Sequence, residues 1–358
     1  MIIAKPHIHQ IYRTGTILEN RRKCLRLDMN EHADGLPDEF VAEVFSMLDA
    51  NHLSAYPEYA SLIRKIADHN GINRENICLS NGSDAAIKYI FEAYVSAGDK
   101  VLLTDPTFAM YPIYGEMFAA KVVKIPYGQD LELDTEAFLS EIDGTVRLAV
   151  LVNPNNPTGS VLSVSEIDRI IDKCKHYGTL LVIDEAYYYY CPTSCIRQID
   201  HHDNVIVLRT FSKLCALAAL RIGYAAAAPD IIANLNRVRP TFDVNAVAVH
   251  FAECLLDADG LIEDQIRLMK EGKRFLVSRL RENHMAFQDG HANFVLIKCP
   301  GFVAEITGRL KDRHILVSGG FRQECLKDFI RVTVGSIEKM EQFWRVFFDI
   351  WQRMAADR

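Results

Sequence analysis

The middle of the chain alternates short β-branched runs with amphipathic stretches, and this pattern limits the possible folds most strongly. Strands are predicted at 76–79, 100–104, 121–125, 146–152, 178–184 and 205–209, with helices at 82–95, from about 107, and at 164–177. Such alternation builds a mostly parallel sheet with helices on both faces. The run 180–184 is apolar up to its final Asp184, as expected of a strand buried on both sides. The sequence therefore predicts an α/β fold.

The pattern changes after about residue 241. One long helical stretch is predicted from about Val247 to Arg281, strands at 292–298 and 329–334, and a last helix from about Ile337. The segment Leu25–Glu31 is also strand-like. Because 358 residues exceed one simple core, we expect two domains. The predicted division is 1–45 for an N-terminal arm with part of a small α+β domain, 46–245 for a large domain, and 246–358 for the rest of the small domain.

Composition argues against several classes of protein. The net charge of −7 favours neither nucleic acid nor an anionic membrane surface as a partner. No apolar run approaches the roughly 20 residues of a membrane span, and the first residues lack a secretory apolar core. The nine cysteines are scattered without a Cys-x-x-Cys pair, which indicates free thiols and no metal site. We therefore expect a cytoplasmic protein that binds neither nucleic acid, membrane nor metal.

Reactive side chains follow successive predicted strands. Lys213 follows one strand, while Asp184 and Tyr187 follow another. Since open α/β sheets bind ligands at the carboxyl ends of their strands, these groups should lie close together. An amine, a carboxylate and a phenol are what an aldehyde-bearing pyridine requires. The amine forms an imine, the acid keeps the ring nitrogen protonated and the phenol binds the ring hydroxyl. The set indicates pyridoxal phosphate.

Two further segments at the same sheet edge suit this cofactor. Gly82–Asp84 opens a helix, where free amides and the helix dipole attract an anion; a plain helix cap is the alternative. The polar run Asn153–Gly159 follows another strand, and an ordinary turn is its alternative. Asp184 alone could be a helix cap, and Lys213 alone a solvated surface lysine. Their order on successive strand ends favours a cofactor site.

At these residues the sequence resembles the fold-type-I pyridoxal-phosphate aminotransferases of class I and II, and within them the histidinol-phosphate aminotransferase branch. The most specific matches are Arg209–Lys213 and Leu217–Tyr224. Other matching segments span nearly the whole chain: Asp28–Glu31, Tyr56-Pro57, Pro106–Phe108, Ala292–Phe294 and Ile330–Gly335. The resemblance implies a large, mostly parallel sheet domain and a smaller α+β domain. It also implies transfer of an amino group between an amino acid or amino-phosphate and a 2-oxo acid.

The resemblance assigns the cofactor-binding roles residue by residue. Lys213 would form the internal aldimine and move the substrate's proton, and Asp184 would pair with the pyridine nitrogen. Tyr187 and Asn156 would bind the ring hydroxyl, and Phe108 would stack on the ring, where the family often has tyrosine. The cofactor phosphate would be held by Gly82, Ser83, Asp84, Thr210, Ser212 and Arg221.

The resemblance also implies substrate contacts and a dimer. Arg331 would anchor the substrate's anionic group, with Tyr12 and Asn30 lining the same pocket. Tyr56 resembles a tyrosine that contacts the cofactor phosphate of a neighbouring subunit, which implies a homodimer with shared active sites. From spacing alone, Tyr56 could equally be a hinge residue before Pro57.

Departures from the family pattern concern the substrate. The family usually carries another arginine where this chain has Ser318-Gly-Gly320, and Arg322 lies a few residues later as a possible replacement. The amino donor and acceptor are therefore open. A pyridoxal-phosphate decarboxylase of a phosphorylated amino acid is an alternative function. A non-catalytic regulator with this fold is less compatible, because no room for a DNA-binding domain precedes residue 25.

Overall fold

A computed structural model describes residues 5–11, 20–191 and 193–356. Tyr12 lies outside these residues. Within them the strands are β1 (Leu25–Leu27), β2 (Ile77–Ser80), β3 (Lys100–Asp105), β4 (Lys121–Pro126), β5 (Val146–Val152), β6 (Leu180–Asp184), β7 (Val205–Thr210), β8 (Gly223–Ala227), β9 (Phe287–Gln288), β10 (Phe294–Lys298), β11 (Ile315–Gly319) and β12 (Phe329–Thr333).

The helices, over the same described ranges, surround two sheets. They are α1 (Asp38–Ser46), α2 (Ala50–Ser54), α3 (Ala60–Asn70), α4 (Gly82–Tyr94), α5 (Met110–Met117), α6 (Thr135–Ser140), α7 (Val164–Tyr177), α8 (Pro229–Val238), α9 (Ala246–Asp257), α10 (Leu261–Glu282), α11 (Val303–Asp312) and α12 (Ile337–Ala356). In the part of the chain described, none of them has the length and apolar character that crossing a membrane requires.

The larger sheet has the strand order β2-β8-β7-β6-β5-β3-β4 and is mostly parallel. Strands β3 to β7 all run parallel to one another, and β8 is antiparallel to both β7 and β2. Every residue of β6 and β7 is buried, because helices cover both faces. The predicted parallel sheet is confirmed. Strand β8 was not predicted, since its sequence, Gly-Tyr-Ala-Ala-Ala, lacks the β-branched residues that indicate a strand.

The smaller sheet has the order β1-β11-β12-β10-β9. Strand β1 pairs in parallel with β11, so the N-terminal segment joins the sheet formed by the C-terminal part, as expected. The single helix predicted from Val247 to Arg281 is wrong. Two helices, α9 and α10, are separated at Gly260, which adopts the left-handed conformation (φ 75°) that glycine tolerates best. The predicted domain boundaries at 45 and 245 stay a prediction.

A loop of the larger sheet and a turn of the smaller sheet touch through main-chain atoms, at Gly159 after β5 and at Gly290 between β9 and β10. The His291 amide donates to the Gly159 carbonyl at 2.6 Å. A Cβ atom on Gly290 would lie 2.5 Å from the Gly159 oxygen, which leaves no room for a side chain. Lys273 holds the same turn, since its Nζ donates to the Gly290 carbonyl at 2.6 Å. The loop after β5 and the turn before β10 are thus joined directly.

Candidate active site

The carboxyl ends of the parallel strands bring the predicted cofactor residues to one edge of the larger sheet. Asp184 is the last residue of β6, Lys213 follows β7, and Asn156 follows β5. Gly82 begins α4 directly after β2, and Phe108 lies between β3 and α5. This arrangement is what a crossover α/β topology dictates, because parallel strands all end at the same edge.

Asp184 is a buried carboxylate, only 2% exposed. Its Oδ2 accepts a hydrogen bond from the Tyr111 hydroxyl at 2.8 Å, and its Oδ1 accepts from the Ala186 amide at 3.1 Å. Burial raises the pKa of Asp184 to about 6, against the opposing effect of the Tyr111 hydrogen bond. A cation beside this carboxylate would favour its charged form. A protonated pyridine nitrogen is such a cation.

Tyr111 was missed from the sequence, although it is 1% exposed and contacts two residues of the site. Besides its hydrogen bond to Asp184, its ring meets that of Phe108 edge to face, with centroids 6.3 Å apart. The available signal was its spacing, since an aromatic residue three positions after Phe108 falls on the same side of a helical turn.

Lys213 is half-buried, and its Nζ donates to the Met29 carbonyl at 3.1 Å. The same nitrogen lies 5.9 Å from the centre of the Tyr187 ring. Burial, and then the nearby positive charge of Arg331, lower the pKa of Lys213 to about 8. An amine with this pKa is partly neutral near pH 7 and can act as a nucleophile and base. These surroundings differ from those of the solvated surface lysine that the sequence left open.

Tyr187 and Asn156 each contact a residue of the predicted substrate side. The Tyr187 hydroxyl accepts from Asn30 Nδ2 at 2.8 Å, and Asn156 Oδ1 accepts from Arg331 Nη1 at 2.5 Å. Asn30 is buried in a left-handed conformation (φ 56°), and its amide nitrogen donates to Thr333 Oγ1 at 3.1 Å. Short hydrogen bonds therefore connect the ring-hydroxyl side of the site to the smaller sheet.

Arg331 lies on β12 and is 9% exposed. Besides its bond to Asn156, its Nη2 donates to the Asp28 carbonyl at 2.7 Å. Its Nε is buried with no hydrogen-bond partner, and among the described residues its other nitrogens donate to an amide oxygen and a main-chain carbonyl, not to a carboxylate. Burial lowers the pKa of Arg331. An unneutralised, buried guanidinium is well suited to an anionic ligand, since a carboxylate would replace the solvation that it has lost.

The start of α4 forms a cup for an anion beside Arg221. A Cβ atom on Gly82 would lie 2.5 Å from Arg221 Nη2, and one on Gly223 would lie 2.6 Å from the Ser83 amide nitrogen. Asn81 precedes the helix but makes no capping bond, because its side chain donates to the Asp243 carbonyl at 3.0 Å. The plain helix cap is therefore not observed. Uncapped amides facing a guanidinium fit a phosphate group.

Two hydroxyl residues complete the rim of the cup. The Thr210 hydroxyl donates to Ser212 Oγ at 2.9 Å, and Arg221 Nη1 donates to the same Ser212 oxygen at 3.4 Å. The Asp84 carboxylate accepts from the Tyr114 hydroxyl at 3.2 Å. The donor set of the cup, with its main-chain amides, hydroxyls and guanidinium, matches the chemistry of a phosphate ester.

Two predicted site residues of the described ranges, Tyr56 and Arg322, have exposed side chains. Tyr56 is 75% exposed and stacks on Phe242, with ring centroids 4.1 Å apart. Arg322 is exposed in the loop after β11, next to Gln323, whose side-chain amide donates to Asp105 Oδ1 at 2.9 Å. Tyr12 lies outside the described residues. The roles of these three residues stay predictions.

A buried ion pair between Glu185, which follows β6, and Arg209, near the end of β7, joins the carboxyl ends of these two strands. Arg209 donates to Glu185 Oε2 from Nε at 3.0 Å and from Nη2 at 2.8 Å, and both side chains are at most 3% exposed. The guanidinium lies 3.5 Å from the centre of the Tyr188 ring and also donates to Ser194 Oγ at 2.6 Å. These bonds fix the positions from which Asp184 and Lys213 project.

Replacement of Arg209 by methionine should destabilise the fold by about 3–5 kcal/mol, because it leaves the Glu185 carboxylate buried and unpaired. Urea denaturation of the variant measures this loss. The matched control is Arg309→Met, which breaks an exposed pair with Glu305 and should cost about 1 kcal/mol or less. Equal midpoints for the two variants would contradict a structural role for the buried pair.

Comparison with known proteins agrees with this geometry. The family model of aminotransferase class I and II matches residues 22–347. The histidinol-phosphate aminotransferase of Caldanaerobacter subterraneus subsp. tengcongensis is 32% identical over 323 residues, which cover 89% of this chain and 91% of that relative. The enzyme of the same name from a Geobacillus species is 33% identical over 343 residues, covering 92% and 93%.

Solved structures show the same fold. The histidinol-phosphate aminotransferase of Sinorhizobium meliloti, in complex with pyridoxal 5′-phosphate, superposes with a TM-score of 0.86 at 23% identity, covering 97% of this chain and 98% of that one. These similarities favour an aminotransferase over the decarboxylase alternative. The chain therefore belongs to the class I and II aminotransferases and is a pyridoxal-phosphate-dependent, fold-type-I enzyme of that family.

Proposed function

We propose that this enzyme transfers the amino group of a histidinol-phosphate-like amino-phosphate, or of an amino acid, to a 2-oxo acid. One observation carries the proposal: Lys213 Nζ and Arg331 Nη2 donate to the main-chain carbonyls of two adjacent residues, Met29 at 3.1 Å and Asp28 at 2.7 Å, so the amine and the guanidinium lie close together. A substrate whose anionic group, a carboxylate or the phosphate of an amino-phosphate, binds Arg331 thus has its amine-bearing carbon near the lysine. The names of the relatives, at 32% and 33% identity, support the choice of amino-phosphate.

The roles of the residues follow from their chemistry. Pyridoxal phosphate, when bound, supplies an electron-withdrawing ring that stabilises negative charge at the substrate's α-carbon. Lys213 would hold the cofactor through its aldehyde carbon, and its Nζ would accept the proton of the substrate's α-carbon. Asp184 keeps a proton on the ring nitrogen, and Tyr187 and Asn156 bind the ring hydroxyl. The cup at Gly82, Ser83 and Arg221 holds the phosphate.

The phosphate of an amino-phosphate donor carries up to about two negative charges, so it calls for a second cationic group besides Arg331. We assign this role to Arg322, which follows the Gly319-Gly320 pair, while the side chain of the neighbouring Gln323 binds Asp105 and holds the loop. Half-reaction spectroscopy with a panel of donors tests the assignment. Histidinol phosphate should convert the bound cofactor to its amino form faster than aspartate or phenylalanine does. Carbon dioxide release from a phosphorylated amino acid, without oxo-acid formation, would contradict the proposal.

The proposal includes a homodimer with shared active sites. Exposed aromatic and aliphatic side chains gather on the segment 45–56 and at Phe242: Phe45 (57% exposed), Leu53 (77%), Tyr56 (75%) and Phe242 (48%). Large apolar groups exposed together are typical of a protein–protein interface. A second copy would cover them, and Tyr56 would then reach the phosphate cup of the partner.

The proposal also includes a cytoplasmic location. All nine cysteines are free thiols, and six of them are buried in the core. Reduced thiols in this number are typical of a reducing compartment. Fractionation of cells that produce the protein tests the location.

Mixing two impaired variants tests the shared site. Arg331→Ala should raise the Michaelis constant of the donor about 10²-fold, because a charge-assisted contact is lost from a desolvated pocket. Tyr56→Phe should weaken cofactor retention instead. A heterodimer of the two variants has one site with both changes and one with neither, so activity should partly return on subunit exchange. An active monomer in sedimentation, or no recovery, would contradict the Tyr56 assignment.

A further inference from the structure

Arg21 binds the side-chain carboxylates of Asp28 and Glu31, to which no role has been assigned above. Its Nη2 is 2.6 Å from Asp28 Oδ1 and 2.9 Å from Glu31 Oε2, and its Nη1 donates to Glu31 Oε1 at 3.2 Å. The Arg21 side chain is 12% exposed, and those of Asp28 and Glu31 are 17% and 26% exposed. The guanidinium therefore engages Glu31 with both terminal nitrogens and connects it to Asp28.

The residues between these two carboxylates contact three groups of the active site. The Asp28 carbonyl accepts from Arg331 Nη2 at 2.7 Å, and the Met29 carbonyl accepts from Lys213 Nζ at 3.1 Å. Asn30 Nδ2 donates to the Tyr187 hydroxyl at 2.8 Å. We call residues 28–31 the active-site strip. The positions of its carbonyls decide where the guanidinium of Arg331 and the amine of Lys213 lie.

The active-site strip is not a regular element. It begins after β1 ends, and Asn30 has a positive φ of 56°, a conformation that costs a non-glycine residue free energy. The main chain of Asn30 is held at both of its polar atoms. Its N–H donates to Thr333 Oγ1, and its carbonyl accepts from the side-chain amide of Asn293 at 3.0 Å. The first and last residues of the strip, Asp28 and Glu31, are held by Arg21 through their carboxylates. Without that cation, the carboxylates of Asp28 and Glu31 would repel one another.

We propose that Arg21 is a positioning residue of this enzyme. By drawing Asp28 and Glu31 to one guanidinium, it fixes the active-site strip and so orients Arg331 and Lys213 towards the substrate. The inference rests on the proposed role of Arg331 as the anchor for the substrate's anionic group. Arg21 acts through main-chain carbonyls, so its removal weakens substrate binding more than it weakens the fold, because ion pairs this close to solvent add little to global stability.

Arg21→Met tests the proposal, with Arg26→Met as the matched control. Arg26 also lies near Glu31, with its Nε 3.5 Å from Oε2, but among the described residues it makes no ion pair with Asp28. The probe is glutarate, a dicarboxylate without an amino group, titrated into the holoenzyme by calorimetry. Arg21→Met should weaken glutarate binding and raise the donor's KM about tenfold, with a smaller change in kcat. Arg26→Met should change either quantity less than about twofold.

Three other outcomes would contradict the proposal. Unchanged glutarate affinity in Arg21→Met, with a clear loss in Arg331→Ala, would overturn the role of Arg21 and leave the anchor role of Arg331 in place. No loss in either variant would overturn both. Equal losses in the Arg21 and Arg26 variants would show that local charge matters and the connection to Asp28 does not. If Arg21→Met fails to fold, Asp28→Asn breaks the same connection at its other end and is judged by the same criteria.

Discussion

A Lys213→Ala variant is expected to lose turnover by a factor of about 10⁴ or more, because one amine supplies both the covalent link to the cofactor and the base for the α-proton. The cofactor should still bind, held by the cup at α4 without a covalent bond. Borohydride treatment of the wild-type enzyme, followed by peptide mapping, should place the reduced cofactor on Lys213. In the variant no peptide should carry it.

Lys273 provides a stringent control for this result. Burial also lowers its pKa to about 8, and its Nζ donates to the Gly290 and Ala292 carbonyls. A depressed pKa alone would therefore make both lysines reactive. Only Lys213 follows a strand end beside Asp184 and Tyr187, so Lys273→Met should retain the covalent link. Label found on Lys273 would overturn the assignment of the whole site.

Asp184→Ala is expected to slow proton abstraction about 10²- to 10³-fold, with a smaller loss of cofactor affinity. Without the buried carboxylate the ring nitrogen loses the anion that favours its proton, and the ring withdraws electrons less strongly. Single-turnover absorbance changes measure the chemical step, and equilibrium titration of the apoenzyme measures affinity. Asp184→Asn keeps the shape and the bond from Ala186 and should be nearly as slow. Normal turnover in either variant would show that Asp184 only stabilises its turn.

The parts of this enzyme that the sequence predicts best are those specified by short segments. The run Leu180–Asp184 is apolar until its last residue, so both a buried strand and a carboxylate at its end could be inferred. The helix Val164–Tyr177 matched to the residue, because a Ser163 capping box and Gly178 mark its ends. Lys213 could be located for the same reason, as it lies in a distinctive local motif directly after a strand.

The features that escaped prediction depend on residues far apart in the chain. Asn30 forms a hydrogen bond with Thr333, 303 residues away in the sequence, and no local sequence pattern predicts that contact. Tyr111 looks like any core aromatic until the fold brings it to Asp184, 73 residues away. The alanines of β8 form a strand because β8 pairs with β2 on one side and with β7 on the other. In each case packing between distant segments, and not local preference, decides the structure.

The contact between Gly159 and Gly290 has a consequence for how the enzyme can move. Two main chains touch there with no side chain between them, so the contact cannot be relieved by a change of rotamer. If the smaller sheet rotates when substrate binds, this point is the natural pivot, and groups near a pivot travel least. Asn156, three residues from Gly159, would then keep its bond to Arg331 while more distant parts swing. Arg331, which anchors the substrate's anionic group, would then lie close to the rotation axis, and the rest of the pocket would be displaced further.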